Sequence, residues 1–397
     1  MTNLLRLPIE PVSASRLSAQ VQTVVQRALD EQRLVGAVVL VARDGELLHR
    51  QAAGFADRER AQPMTVQTLF RLASVTKPIV STAALVLVAR GLLELDAPIA
   101  LWLPEFCPRL ADGRPAAITA RQLLSHTAGL GYRFLETDAD RPYARAGVSD
   151  GLDAAGLDLA ENLRRLASVP LRYPPGTAWG YSLATDVLGA LIERIQAAPL
   201  GEAVQRLVTG PLGLADTGFV VRDRSRMATA YVNDQPCPHP LAEGETVPVF
   251  EDTLGITYSP GRIFDDRAFP SGGAGMAGTA EDLLRLLETL RQGGAALLPG
   301  ELVEDMGRDQ TQGLELPGLP GCGFGLGFSV LRDPKLAASP ESPGTWRWGG
   351  AYGHSWLVDR ARGLSVVAFT NTLYEGMSGR FVSELRDAVY GAGEFAS

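Results

Sequence analysis

The sequence predicts an α+β fold: one antiparallel sheet built from both ends of the chain, flanked by helices, with a mostly helical region inserted between. Strand-like segments lie near the amino terminus and again from 323 onward, whereas 96–270 is rich in Pro, Gly and short helical stretches. No crossover helices alternate with the late strands, which favours antiparallel pairing. We therefore expect a discontinuous α/β domain, 1–80 and 271–397, and an inserted helical domain, 81–270, with the functional site at their junction.

The amino-terminal elements follow from local patterns. Residues 13–32 have apolar positions at helical spacing, and GAVVLVARDGELLHRQAAG is typical of a hairpin that turns at Asp44-Gly45. A short extended segment, MTVQTLFRLA, comes next. From Ser74 to Arg90 the chain is apolar on nearly all sides, so a buried helix ending near Gly91 is expected.

The later elements are marked less strongly. One helix is predicted to begin at Asp158, which forms a capping-box pattern with Glu161, and another at Ser182. Three strand-like stretches and a final helix close the chain: GFGLGFSVL, TWRWGGAYGHSWLVD, GLSVVAFTNT and SGRFVSELRDAVY.

Composition limits the possible functions. The chain has 397 residues, 46% of them hydrophobic, and a net charge of −8, which argues against a nucleic-acid partner. Its three cysteines are far apart and show no zinc-like spacing, so neither a disulfide framework nor a metal site is expected. The first residues lack a secretory apolar core, and STAALVLVARGLL is too short to span a bilayer. We expect a cytoplasmic protein without a membrane partner.

Two serine motifs compete for a nucleophile. Residues 147–151, GVSDG, match the G-x-S-x-G elbow of α/β-hydrolases, whereas Ser74 and Lys77 match S-x-x-K. Neither motif is specific alone. An elbow needs a buried strand before its serine and a helix directly after it. The stretch before Ser149, TDADRPYARAG, is polar and broken by proline, so Ser149 is predicted to lie in a surface loop.

Ser74 has the opposite context, at the start of a buried helix. Lys77 follows one turn later on the same face. Burial and the positive end of the helix dipole both favour the neutral form of its amine. A neutral amine within reach can accept the serine proton. The chain has only two lysines, Lys77 and Lys335, so a lysine at this position indicates a chemical role.

Three motifs carry a family resemblance: SVTK at 74–77, YS at 181–182 and WGGAYGHSW at 348–356. Together they resemble the class C β-lactamase and penicillin-binding protein superfamily, and within it the family VIII carboxylesterases. The resemblance implies a β-lactamase-like fold and a proton relay through Tyr181. It also implies an oxyanion hole from the amides of Ser74 and Ala351, and substrate-binding positions at Trp348, Gly349, Gly350 and Tyr132. For Tyr132 a core position is an equal alternative.

Two departures from that family pattern concern the substrate. The β-lactamases and peptidases have Lys-Thr-Gly where this chain has Trp348-Gly349-Gly350, and they have an Asn where this chain has Leu183. A cation and an amide that would bind peptide-like substrates are therefore missing. The loss shifts the preference toward neutral, apolar esters.

The sequence thus predicts a serine carboxylesterase that hydrolyses small, neutral and short-chain esters through an acyl-serine, without cofactor or metal. Three alternatives stay open: a β-lactamase, amide hydrolase or acyltransferase that uses the same site; an inactive binding protein on this fold; and an α/β-hydrolase that uses Ser149. The sequence leaves the oligomeric state open.

Overall fold

The computed structural model describes residues 14–391 and contains a large antiparallel sheet with helices on both faces. The strands are β1 Gly36–Arg43, β2 Glu46–Asp57, β3 Gln62–Pro63, β4 Phe70–Arg71, β5 Tyr231–Val232, β6 His239–Pro240, β7 Thr246–Val247, β8 Ile256–Thr257, β9 Ala277–Gly278, β10 Cys322–Phe324, β11 Ser329–Leu331, β12 Trp346–Gly350, β13 His354–Asp359 and β14 Leu364–Thr370. The helices are α1 Ala14–Asp30, α2 Thr76–Ala89, α3 Ala120–Leu124, α4 Pro142–Arg145, α5 Leu159–Ser168, α6 Ala184–Gln196, α7 Leu200–Val204, α8 Ala280–Arg291, α9 Gly300–Met306, α10 Glu375–Ser378 and α11 Arg380–Tyr390.

The main sheet has eight strands in the order β10-β11-β12-β13-β14-β1-β2-β3. The amino-terminal hairpin joins the carboxy-terminal strands where β1 pairs with β14, from Ala37 opposite Thr370 to Arg43 opposite Leu364. Every pair in this sheet is antiparallel. The predicted fold class and the use of both chain ends are confirmed.

The hairpin turns where the sequence predicts it. Asp44 and Gly45 have φ values of 51° and 88°. Aspartate tolerates this left-handed region better than most residues, and glycine enters it without strain. The turn therefore brings β1 and β2 together by local chemistry alone.

Both faces of β1 are buried, which explains its unbroken apolar run. Val39 and Val41 face a layer formed by α1 and α11, where they pack with residues such as Val21 and Phe381. Val38 and Leu40 face the opposite core, which extends through α2 and α8 into the helical region. Alternate side chains of a strand point to opposite faces, so a strand covered on both sides needs apolar residues at every position.

The helical region packs around α2. Contacts join α2 to α6 and α7, and α6 also packs against α3 and α5. One apolar core spans from Val38 in the sheet to Leu207 in this region. Helix α2 passes through residue 80, so a domain boundary there would fall inside a helix. The division into two domains stays a prediction.

The three thiols, of Cys107, Cys237 and Cys322, are all free. Within residues 14–391, no helix combines the length and the apolar character needed to cross a membrane. The expectation that the chain starts without a secretory leader concerns residues 1–13, which lie outside the described residues. The helix predicted for 13–32 is α1.

Candidate active site

Ser74 lies in a single 3₁₀ turn, Ala73–Val75, that leads directly into α2. The residue before it, Ala73, has φ 43°, which is left-handed and costly for a residue with a side chain. The turn is tied down on both sides, because Val75 N donates to Leu72 O at 3.0 Å and Leu72 N donates to Met276 O at 2.8 Å. The surrounding backbone thus holds the serine in one orientation.

Three of the predicted side chains meet at one point. Ser74 Oγ lies 2.6 Å from Tyr181 Oη, and Lys77 Nζ donates to Ser74 Oγ at 3.2 Å. Lys77 also donates to the Gly273 carbonyl at 2.9 Å, and its Nζ lies 4.6 Å from the centre of the Tyr181 ring. The amine is completely buried. Such an arrangement can move a proton from the serine hydroxyl to either the amine or the phenol.

A second buried charge lies beside this cluster. Asp186, in the first turn of α6, is 1% exposed, and neither of its oxygens makes a hydrogen bond of standard geometry in the described part of the chain. Burial raises the pKa of Asp186 to about 6, although Ser271 and the positive charge of Lys77 act in the opposite direction. Asp186 was not among the residues predicted from the sequence. A carboxylate among the mostly small and apolar residues at the start of α6 was the available signal.

Gly273 was also missed, although it lies in the stretch SGGAGMAGTAEDLLR at 271–285. A Cβ on this residue would lie 2.7 Å from Asp186 Oδ2, 3.3 Å from Tyr132 Oη and 3.5 Å from Lys77 Nζ. Only glycine therefore lets its carbonyl approach the lysine while the carboxylate and the phenol stay in place.

The end of β12 packs directly on the serine turn. A Cβ on Gly350 would lie 2.3 Å from Leu72 O, and one on Gly349 would lie 2.8 Å from His354 O. These glycines are thus required for close packing within the protein, a reason separate from the substrate-binding role that the resemblance implies for them. The neighbouring Ala351 is buried.

β12 has a partner strand on both sides only along its first half. β12 lies between β11 and β13, but its pairing with β11 covers Trp346 and Arg347 alone. Beyond them, Trp348 to Gly350 pair on one side only, with β13. The half of β12 that packs on the serine turn thus has no partner strand on the side of β11.

Aromatic rings surround Tyr181. Tyr132 is buried, with its ring centre 5.0 Å from that of Tyr181, and Trp348 is partly buried at 5.3 Å. The pKa of Tyr132 is raised well above the usual range, mainly by burial and to a smaller extent by the neighbouring Tyr181. Leu183 is fully buried, and its amide donates to Gly131 O at 3.2 Å. That position offers packing and no side-chain hydrogen bond.

Two buried histidines border the site without contacting the serine. His126 Nδ1 lies 3.1 Å from Ser182 Oγ, and its ring packs at 5.0 Å against Tyr181. Burial and the positive charge of Lys77 hold the pKa of His126 well below its usual value. His354 Nε2 donates to the carbonyl of Arg71 at 2.7 Å, and burial lowers its pKa to about 4. Both contacts are structural ones.

Ser149 has no elbow around it. The element directly before it is the short helix α4, where an elbow would need a strand. The serine is 1% exposed, and its hydroxyl donates to Asp153 while its amide donates to Asn162 Oδ1 at 2.8 Å. The predicted surface loop is therefore wrong in one respect: the loop is buried around this residue. Ser149 ties the segment to α5.

The fold and the serine cluster have a counterpart among known proteins. Residues 21–390 match the family model described as Beta-lactamase. The chain belongs to the β-lactamase family. The resemblance stated from the three motifs is confirmed at this level. Family membership covers nearly the whole described chain, including both regions that contribute to the site.

Similar proteins include enzymes of two activities. Esterase EstB of Burkholderia gladioli is 54% identical over 381 residues, which cover 96% of each chain. The solved structure of EstCE1, described as a hydrolase with promiscuous acyltransferase activity, is 45% identical, with a TM-score of 0.91 over 96% of this chain and 100% of that one. Monacolin J acid methylbutanoyltransferase of Aspergillus terreus is 26% identical, over 91% of this chain and 92% of that relative.

Proposed function

We propose that this protein is a serine carboxylesterase that hydrolyses small neutral esters through an acyl-serine intermediate. One observation carries the proposal: Ser74 Oγ is hydrogen-bonded to both Tyr181 Oη and the buried Lys77 Nζ. A serine hydroxyl is a weak nucleophile unless an adjacent base accepts its proton. The 54% identity to an esterase supports esters as the substrate class.

In the proposed reaction Ser74 attacks the ester carbonyl while Lys77 and Tyr181 take its proton. The same groups return a proton to the leaving alcohol, and a water molecule then repeats the sequence on the acyl-serine. The amides of Ser74 and Ala351 are the proposed oxyanion hole. Neither amide is among the backbone N–H groups that donate to a carbonyl outside regular helices and strands in residues 14–391. That leaves both free to donate to an oxyanion.

The preference for neutral esters rests on the surroundings of the serine. Trp348 occupies the position of a lysine that holds substrate carboxylates in the β-lactamases. Its indole lies 5.1 Å from the Phe324 ring, and its Nε1 has no partner in the described residues. An apolar surface of this kind favours acyl and alcohol groups without charge. We propose Tyr132, Trp348, Gly349 and Gly350 as positions that line or shape this substrate site.

The test compares p-nitrophenyl butyrate hydrolysis by the wild type, Ser74→Ala and Ser149→Ala, with a chromogenic cephalosporin in parallel. We expect Ser74→Ala to lose turnover, Ser149→Ala to keep it, and the cephalosporin to be cleaved far more slowly than the ester. Turnover retained in Ser74→Ala would refute the nucleophile. Comparable cephalosporin cleavage would refute the substrate class only. An inactive binding protein would fail to react with a fluorophosphonate.

Acyl transfer is a second proposed activity, favoured by the 45% identity to EstCE1, a hydrolase with promiscuous acyltransferase activity. An acyl-serine can pass its acyl group to an alcohol instead of water if the alcohol binds beside it. Adding a short primary alcohol to the p-nitrophenyl butyrate assay should then yield a new butyrate ester at the expense of butyric acid. Product ratios that stay unchanged as the alcohol concentration rises would exclude transfer.

A further inference from the structure

Asp186 is a buried charge that the proposed reaction leaves unused. It lies five residues after Tyr181, in the first turn of α6, and its side chain is buried. A buried carboxylate normally accepts several hydrogen bonds, but here, within the described residues, both oxygens lack one of standard geometry. The Ser271 side chain and the Gly273 amide still act on the carboxylate as weak donors. A buried charge held only by such weak contacts costs stability, so its presence needs a compensating interaction or a role.

The geometry directs this charge at the proton relay. The position that a Cβ would take on Gly273 lies 2.7 Å from Asp186 Oδ2 and 3.5 Å from Lys77 Nζ. The two charged atoms are thus at most about 6 Å apart, a separation at which unit charges interact strongly in a buried site. The same point lies 3.3 Å from Tyr132 Oη. Only the missing side chain of Gly273 permits this approach.

Few other charges face the carboxylate. Arg262 is the second cation that acts on it, but its guanidinium already donates to Asp153 O at 2.9 Å and to Phe269 O at 2.6 Å. The titratable and polar groups that act on or beside Asp186 come from α2, from the segment before α4, from the turn at 262–264 and from the segment after 270: Lys77, Tyr132, Arg262, Ser271 and the Gly273 amide. Of the two cations, Lys77 therefore has the larger effect on Asp186.

We propose that Asp186 is a positioning residue whose negative charge sets how tightly the Lys77–Tyr181 pair holds its protons. The inference rests on the proposed function, in which this pair accepts the proton of Ser74. A neighbouring carboxylate stabilises the lysine ammonium and disfavours a tyrosine phenolate. Both effects keep a proton available for the leaving alcohol, and both require the base to act at higher pH.

The test is the pH profile of kcat/KM for p-nitrophenyl butyrate in the wild type, Asp186→Asn and Asp186→Ser. Removing the charge should move the acid limb to lower pH by about 1–2 units, the size expected for unit charges about 6 Å apart at an effective dielectric constant of about 20. The matched control is Asp282→Asn, which removes another buried carboxylate. Its acid limb should lie at the same pH as that of the wild type.

An unshifted acid limb in both Asp186 variants would overturn the proposal, as would an equal shift in the Asp282 variant. If neither Asp186 variant folds, as judged by circular dichroism, the carboxylate serves stability and the proposal also fails. Ser74→Ala in the same series distinguishes a failure of this inference from a failure of the proposed function. Turnover retained in Ser74→Ala would overturn the proposed function itself. An inactive Ser74 variant with unshifted Asp186 profiles would overturn this inference alone.

Discussion

Replacing Tyr181 by Phe tests the proton relay with the smallest possible change. It removes one oxygen, the atom that lies 2.6 Å from Ser74 Oγ. The ring stays, and with it the contacts at 5.0 Å with Tyr132 and at 5.3 Å with Trp348. The folded state should therefore lose little stability, while the serine loses one of its two proton partners.

The expected loss in kcat/KM is that of one general acid–base group, about 10²- to 10⁴-fold. This corresponds to a rise of about 3–5 kcal/mol in the activation free energy. The loss should fall on kcat, because the hydroxyl acts on the reacting serine and not on the bound ester. Lys77 remains 3.2 Å from Ser74 Oγ, so some turnover should persist.

Steady-state hydrolysis of p-nitrophenyl butyrate measures the effect, with Tyr390→Phe as the control. Tyr390 is a buried tyrosine that donates to Asp359 at 2.9 Å, but it lies in α11 on the other face of the sheet. Its variant should lose stability and keep kcat/KM. A Tyr181→Phe enzyme within tenfold of the wild type would refute the relay through Tyr181.

Three further predictions concern other parts of the molecule. Ser149→Ala should lower the unfolding free energy by about 1–3 kcal/mol in urea titrations, because Asp153 loses the buried hydroxyl that donates to it. The same variant should keep the kcat/KM of the wild type in the ester assay. Gly350→Ala should reduce both stability and turnover, because the new Cβ would lie 2.3 Å from Leu72 O. A loss of unfolding free energy smaller than the ~1–3 kcal/mol usual for overpacking would contradict this contact. His354 has a folded-state pKa of about 4, below the unfolded value, so the unfolded chain binds more protons between about pH 4 and 6.5 and stability should fall as the pH is lowered through that range. His354→Gln should make that fall shallower in urea titrations at pH 7 and 5, and an identical slope would exclude His354 as a cause.

The structure corrects the expectation for Ser149 and adds a contact at Gly350, and both findings have the same cause. Ser149 was expected in a surface loop because its neighbours are polar, but Asn162 and Asp153 satisfy those polar groups inside the protein. Gly350 also packs its backbone against Leu72 O, a contact that the sequence did not predict. Burial and close backbone contacts depend on which distant segments pack together. The residues around a position in the sequence do not specify that packing.

Local chemistry in the sequence determined the elements with short-range causes. The turn at Asp44-Gly45 and the helical spacing of Ser74 and Lys77 depend only on neighbouring residues. The three motifs were enough to indicate the family, and the absence of crossover helices between the late strands was enough to indicate an antiparallel sheet. Only the tertiary structure decided the distances that chemistry requires: Tyr181 is 107 residues from Ser74, and Gly273 is 196 residues from Lys77. Asp186 belongs to the same group, because a carboxylate in a helix acquires its proton affinity from burial and from charges that long-range packing brings beside it.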